Sequence, residues 1–294
     1  MTALFDPHIH MTSRTTDDYQ AMAAAGIVAV VEPAFWLGQP RTRVGSFEDY
    51  FLSLVGWERF RASQFGISHF CCLALNPKEA NNTDVAPAVL ELLPRYLEKD
   101  GVVAVGEVGY DDQTDDEERY FRLQAELAMA HDLPLLIHTP HRDKVRGTAR
   151  SLDLVRDLGM PPERVLIDHN TEQTLATVLD AGCWAGHSIY PNTKMDEERM
   201  AALVLKYGAE RIIVNSAADW GISDPLKVPK TIAVMRAQGI EEETIHQIVW
   251  KNPLAFFSQS GRFDVSDADA TPAIDRSLKF ESNSVLRGEP ARAR

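Results

Sequence analysis

Asp6-Pro7-His8-Ile9-His10 closes the apolar run that begins at Ala3, and its reading decides the fold. Side chains alternate across a strand, so His8 and His10 point one way and Ile9 the other, which is the geometry of a metal clamp. Taken alone, the pair is also compatible with two solvated histidines near a terminus. Four more ligand-type residues, Glu107, His138, His169 and Asp219, each fall at or just past the end of another strand-like run. In a parallel α/β barrel the carboxyl ends of the strands share one rim, where catalytic groups gather.

Such runs recur eight times: Ala3 to His8, Gly26 to Glu32, His69 to Leu75, Val102 to Val108, Leu133 to His138, Arg164 to His169, Cys183 to Tyr190 and Arg211 to Ser216. Amphipathic segments lie between them, entered through polar or acidic residues such as Thr83-Asp84, Asp115 and Thr171, which suit the positive end of a helix. The alternation predicts an α/β fold with a parallel sheet. Eight repeats favour a closed (β/α)8 TIM barrel over an open doubly wound sheet, whose Gly-rich first turn is missing from Asp6 to Thr12. The second unit is long, with a loop from Trp36 to Gly45 and an aromatic-rich helical region from Ser46 to Phe65. The barrel domain is expected over residues 1–263. Residues 264–294, poor in large apolar side chains, are expected to form a flexible tail.

A hydrophobic fraction of 45% and a charged fraction of 25% are those of an ordinary globular protein. The net charge of −13 opposes loose adhesion to nucleic acid or anionic membranes, so neither a membrane nor a stable nucleic-acid complex is expected as a partner. It leaves a nuclease possible, because bound divalent cations would add positive charge locally. Cys71, Cys72 and Cys183 read as buried reduced thiols. The apolar stretch from Gly26 to Val31 is too short to span a bilayer, and no charged-then-apolar leader precedes Phe5, so a cytoplasmic location is expected.

Four segments carry a family resemblance: Asp6 to His10, Val105-Gly106-Glu107-Val108-Gly109-Tyr110-Asp111, Leu133 to His138, and Lys251-Asn252-Pro253-Leu254-Ala255-Phe256-Phe257. In these the chain resembles the TatD-related metal-dependent hydrolases of the amidohydrolase-like barrels, over most of Phe5 to Phe263. The resemblance implies a binuclear centre of divalent ions (Zn, Mn or Mg). One ion would be held by His8, His10 and an aspartate, the other by His138 and His169, with Glu107 bridging them. Imidazole and carboxylate donors suit Zn²⁺ or Mn²⁺, and two ions roughly 3.5–4 Å apart acidify a water and clamp the attacking and leaving oxygens. An aspartate at the mouth then handles the proton.

The chain departs from the nuclease pattern in two places. A Glu-Thr-Asp triplet is typical after the last strand, whereas Val214-Asn215-Ser216-Ala217-Ala218-Asp219 puts Ala217 at the strict match. Asp219 is assigned in its place, by strand parity or a short turn, as ligand and, together with Glu107, as catalytic residue, with Asp224 as the fallback ligand. After the sixth strand, Asp168-His169-Asn170 replaces the usual His-Cys-Phe-type segment but keeps a histidine.

Around this set, Asp6 is placed deeper as a hydrogen-bonding support, and His141 and Arg142 on a mouth loop as substrate-binding residues. Trp36, Arg41, Arg43, Glu32 and His187 are further candidates for reaching the mouth, while His69, His131 and His246 read as structural. The expected function is hydrolysis of a small-molecule phosphoester. The alternatives are a 3′-to-5′ deoxyribonuclease on an oligonucleotide substrate, an amide or lactone hydrolase, and a non-catalytic, metal-stabilised binding barrel.

Overall fold

The structure is a computed structural model that describes residues 3–265. Its eight strands are β1 (Leu4–Asp6), β2 (Ile27–Pro33), β3 (Ser68–Leu73), β4 (Val102–Gly109), β5 (Leu135–His138), β6 (Val165–Ile167), β7 (Trp184–Ser188) and β8 (Ile212–Asn215). They pair in parallel and in chain order, with helices between successive strands, which makes a nearly closed TIM barrel. Every strand falls within a residue or two of an apolar run read from the sequence, because strands buried on both faces need continuous apolar sequence.

The two faces of the strands feed separate cores. Ile27, Val30, Cys71, Leu73, Val105, Ile137, Ile167 and Val214 pack outward against the helices. Phe5, Ala29, Val31, Cys72, Ala104, Leu136, Leu166 and Ile213 belong to the second cluster, which fills the barrel. Phe257 and Phe263 reach Phe5 at ring distances of 6.0 and 5.1 Å, so the segment after the last barrel helix plugs the interior beneath the rim. Of the expected tail, residues 266–294 lie outside the described residues.

Three local features differ from the sequence reading. First, β1 ends at Asp6, so His8 and His10 follow the strand rather than sit on it. The segment stays extended because Ile9 N donates to Val31 O at 3.1 Å on one side, while His10 N reaches Ala218 O at 2.9 Å and Ala217 N reaches His8 O at 2.8 Å on the other. These bonds, with Ser216 N donating to Asp6 Oδ1 at 3.1 Å, also tie the end of β8 to the end of β1. Second, the helix after β6 is Leu175–Asp180; Thr171 is absorbed in a turn where its N–H donates to Thr174 Oγ1. Third, the helix after Thr83-Asp84 starts only at Ala86 (Ala86–Leu97).

The acidic entry at Asp115 has a second task. In the helix Asp115–Ala130, Thr114 Oγ1 caps Glu117 N, and four acidic residues in the first turn complement the helix dipole. Buried Glu117 then accepts from the backbone N–H groups of Asp111, Asp112 and Gln113 at 3.0, 3.0 and 2.7 Å. That locks the loop after β4 at the rim. No described helix is long and apolar enough to cross a membrane.

Candidate metal centre

Glu107, near the end of β4, organises the rim. Its Oε1 lies 3.3 Å from His8 Nε2, 3.3 Å from His138 Nδ1 and 3.2 Å from His169 Nε2. His10 Nε2 is 3.2 Å from His8 Nε2, and His138 Nδ1 is 3.1 Å from His169 Nε2. Five of the six residues expected to hold metal therefore present a donor atom to one small volume. A tetrahedral ion with bonds of about 2.0–2.1 Å has donor atoms roughly 3.3 Å apart, so this spacing fits the ligand shell of a divalent cation. His8, Glu107 and His169 form a group whose donor atoms all lie within 4.8 Å of one another.

Hydrogen bonds select which ring nitrogen faces inward. His8 Nδ1 meets Asp168 Oδ2 at 2.5 Å, and His169 Nδ1 meets Ser188 Oγ at 2.7 Å. With Nδ1–H donated outward, each Nε2 keeps its lone pair for the centre. Ser188 Oγ donates to Asn215 Oδ1 at 2.7 Å, and Asn215 Nδ2 donates to both oxygens of Asp168 at 3.1 Å. Asp168, Ser188 and Asn215 thus form one network that orients two histidines. Asn76 Nδ2 donates to Glu107 Oε2 at 3.2 Å, turning Oε1 toward the rings.

Asp168 and His169 are adjacent, and on a regular strand they would face opposite ways. A left-handed backbone at His169 (φ 61°) turns both toward the rim. Space for Asp168 comes from Gly186, where an added Cβ would fall 2.3 Å from Asp168 Oδ1.

Electrostatics follow from crowding charges out of water. Burial opposes ionisation of Glu107, yet His8, His138 and His169 beside it hold the carboxyl well below the usual carboxylate range. Burial likewise opposes a charged His8, but Glu107 and Asp168 push it up. Burial and the neighbouring His8 hold His10 down at about 3, so its imidazole is neutral. His10 also stacks on Phe35, with ring centroids 4.1 Å apart.

Above the donors opens a cavity of about 170 Å³. His10, Glu107, His138 and His169 line its inner part, and Trp36, His141, Lys194 and Asp219 contribute to its walls. Asp219 gets there by a turn rather than by strand extension: β8 stops at Asn215, and Ala217 adopts φ 43°. Both Ala217 and Asp219 then line the cavity. Asp219 Oδ1 accepts from Tyr190 Oη at 2.9 Å and Gly221 N at 2.8 Å.

The other sequence candidates are distributed differently. Arg142 is exposed and ion-paired with Asp112; it is not among the cavity-lining residues, whereas His141 is. Asp224 pairs with Lys230 instead of turning to the rim. Glu32 is buried, accepting from Thr12 N at 2.8 Å and pairing with His69 Nε2 at 2.8 Å, so both serve the scaffold. Arg41 is buried against Glu79 at 2.8 Å, and Arg43 is exposed. His187 is buried with no partner among the described residues on either ring nitrogen, and burial pushes it down to about 4. Asp6 supports the backbone of His8 and Ser216, and burial pushes its carboxyl up to about 7.

Residues that sequence reasoning missed are Asp168, Ser188, Asn215, Asn76, Tyr190 and Lys194. Asp168 carried a usable signal, an acidic residue beside a strand-end histidine. The others are polar residues of ordinary type, and only the pairing of distant elements gives them roles.

The comparisons agree with this fold. The chain is 26% identical over 258 residues to an uncharacterized metal-dependent hydrolase of Methanocaldococcus jannaschii, covering 86% of this chain and 99% of the relative. A TatD-like protein from Archaeoglobus fulgidus superimposes with a TM-score of 0.71 at 26% identity, covering 86% of this chain and 99% of that one. The phosphotriesterase homology protein from Escherichia coli, solved with phosphate in its active site, gives a TM-score of 0.64 at 14% identity, covering 87% and 99%, and shows the shared fold alone. The family described as TatD related DNase matches residues 5–258, nearly the whole barrel, and the chain belongs to this family of metal-dependent hydrolases.

Proposed function

We propose that the protein hydrolyses a small-molecule phosphoester, using two divalent ions held by His8, His10, Glu107, His138, His169 and Asp219. The observation that carries this reading is the single oxygen of Glu107 within 3.2–3.3 Å of ring nitrogens from three other strand ends. When bound, the ions supply an acidified water and Lewis acidity toward the phosphoryl oxygens. The chain supplies the rest. His8 and His10 form one arm, His138 and His169 the other, and Glu107 stands between them as the shared carboxylate. Asp219, fixed through Oδ1 by Tyr190 and Gly221, takes up the proton as the attack proceeds. Trp36 and His141 flank the substrate at the mouth.

The limited cavity and the net charge of −13 favour a small substrate over a long nucleic acid. A second reading, a 3′-to-5′ deoxyribonuclease acting on a strand end, is favoured by the description of the family. The test is a hydrolysis panel on the full chain loaded with Zn²⁺ or Mn²⁺: small phosphomonoesters and phosphodiesters, short single-stranded DNA, lactones and amides. Small phosphoesters should turn over, and a chelator should abolish turnover. Cleavage of DNA alone would select the second reading, and turnover of lactones or amides alone would refute both. Metal binding without any turnover would point to the non-catalytic barrel.

The orienting network makes its own prediction. Asp168→Asn keeps the shape but cannot hold the outward-facing proton of His8 with a full charge. Metal affinity should fall about 10- to 100-fold, measured by chelator competition. An unchanged affinity would remove Asp168 from the centre.

A further inference from the structure

Lys194 stands apart from the other cavity-lining cation. Lys78 is neutralised by Asp111 at 2.6 Å. Lys194, among the described residues, makes no side-chain hydrogen bond or ion pair; its ammonium lies 4.9 Å from the centroid of the Tyr190 ring. It is nevertheless held in place by the backbone. Tyr190 N donates to Met195 O at 2.9 Å, Lys194 N donates to Tyr190 O at 2.9 Å, and Arg199 Nη1 donates to Lys194 O at 2.8 Å. The return after β7 therefore directs a half-buried lysine into the same cavity as Glu107, His169 and Asp219.

An ammonium half out of water without a direct partner is costly, and here only the through-space charge of Glu107, Asp168 and Asp219 offsets its burial. With divalent ions on the histidine and glutamate donors, the nearby carboxylate charge is already engaged, and Lys194 and the ions repel each other unless an anion lies between them. We infer that Lys194 holds the phosphoryl group of the substrate, so that the scissile centre is anionic; this rests on the metal-centre reading above. A neutral lactone or amide would leave the ammonium without a partner, whereas a phosphoryl oxygen satisfies it as a point charge.

The test is calorimetric titration of inorganic phosphate into the metal-loaded full chain, comparing wild type with Lys194→Met, Lys194→Gln and Lys194→Arg, with metal content and thermal midpoint measured for each. Wild type should bind phosphate. Lys194→Met and Lys194→Gln should weaken binding by about tenfold or more at unchanged metal content, and Lys194→Arg should restore most of it. Phosphate affinity equal to wild type in a folded, metal-loaded Met or Gln variant overturns the assignment, as does a metal-loaded wild type that binds no phosphate. Failure of the wild type to take up metal would instead refute the centre on which the assignment depends.

Discussion

Glu107→Gln is expected to strip the protein of most of its divalent metal and to lower turnover by more than about 10³-fold. The substitution is nearly isosteric, and Asn76 Nδ2 can still donate to an amide oxygen at the position of Oε2. The atom replacing Oε1 would then be an NH₂ group facing His8, His138 and His169, at separations of 3.2–3.3 Å. An amide nitrogen offers these neighbours only donors and no negative charge, so neither arm of the centre keeps its shared ligand. The fold should survive, because the change removes a buried charge without altering volume. Elemental analysis beside circular dichroism checks both halves. Wild-type metal stoichiometry in a folded variant would show that Glu107 is not the bridging ligand.

Asp219→Asn should act on turnover with far less effect on composition. Its Oδ1 accepts from Tyr190 Oη and Gly221 N, and an asparagine oxygen can take both bonds, so the turn from Ala217 to Ser223 should hold its shape. What disappears is the basic carboxylate. A loss of about 10²- to 10⁴-fold in turnover is expected, with the thermal midpoint nearly unchanged and most of the metal retained. Substantial metal loss would identify Asp219 chiefly as a ligand, and wild-type turnover would exclude it from proton handling.

The departure after β8 shows how sequence parity and tertiary structure divide the work. Parity pairs Ala217 with Asp219, but β8 ends at Asn215, and both residues reach the cavity through a left-handed turn at Ala217. The same holds at the other end of the chain, where His8 and His10 converge after β1 has ended, stretched between backbone bonds to β2 and to the segment after β8. Alternation named side chains that do meet at the rim, even though its premise, a continuous strand, was not met. It failed for Asp168, which parity sends away from His169 and the backbone at φ 61° brings back.

By itself, the order of residues along the chain determined the barrel and the identity of the histidines and glutamate at its rim. Eight apolar runs buried on both faces can satisfy their backbone groups together only as a parallel sheet wrapped by helices, and strand-end positions in that sheet share one edge. Tertiary structure alone decided the rest: which ring nitrogen faces the centre, that Asn215 and Ser188 link to Asp168, that Arg142 is drawn off to Asp112, and that Lys194 stands over the Tyr190 ring at the mouth with no direct ion pair among the described residues. These outcomes depend on hydrogen bonds and charges meeting across strands far apart in the chain, and no local pattern records which polar group will find which partner.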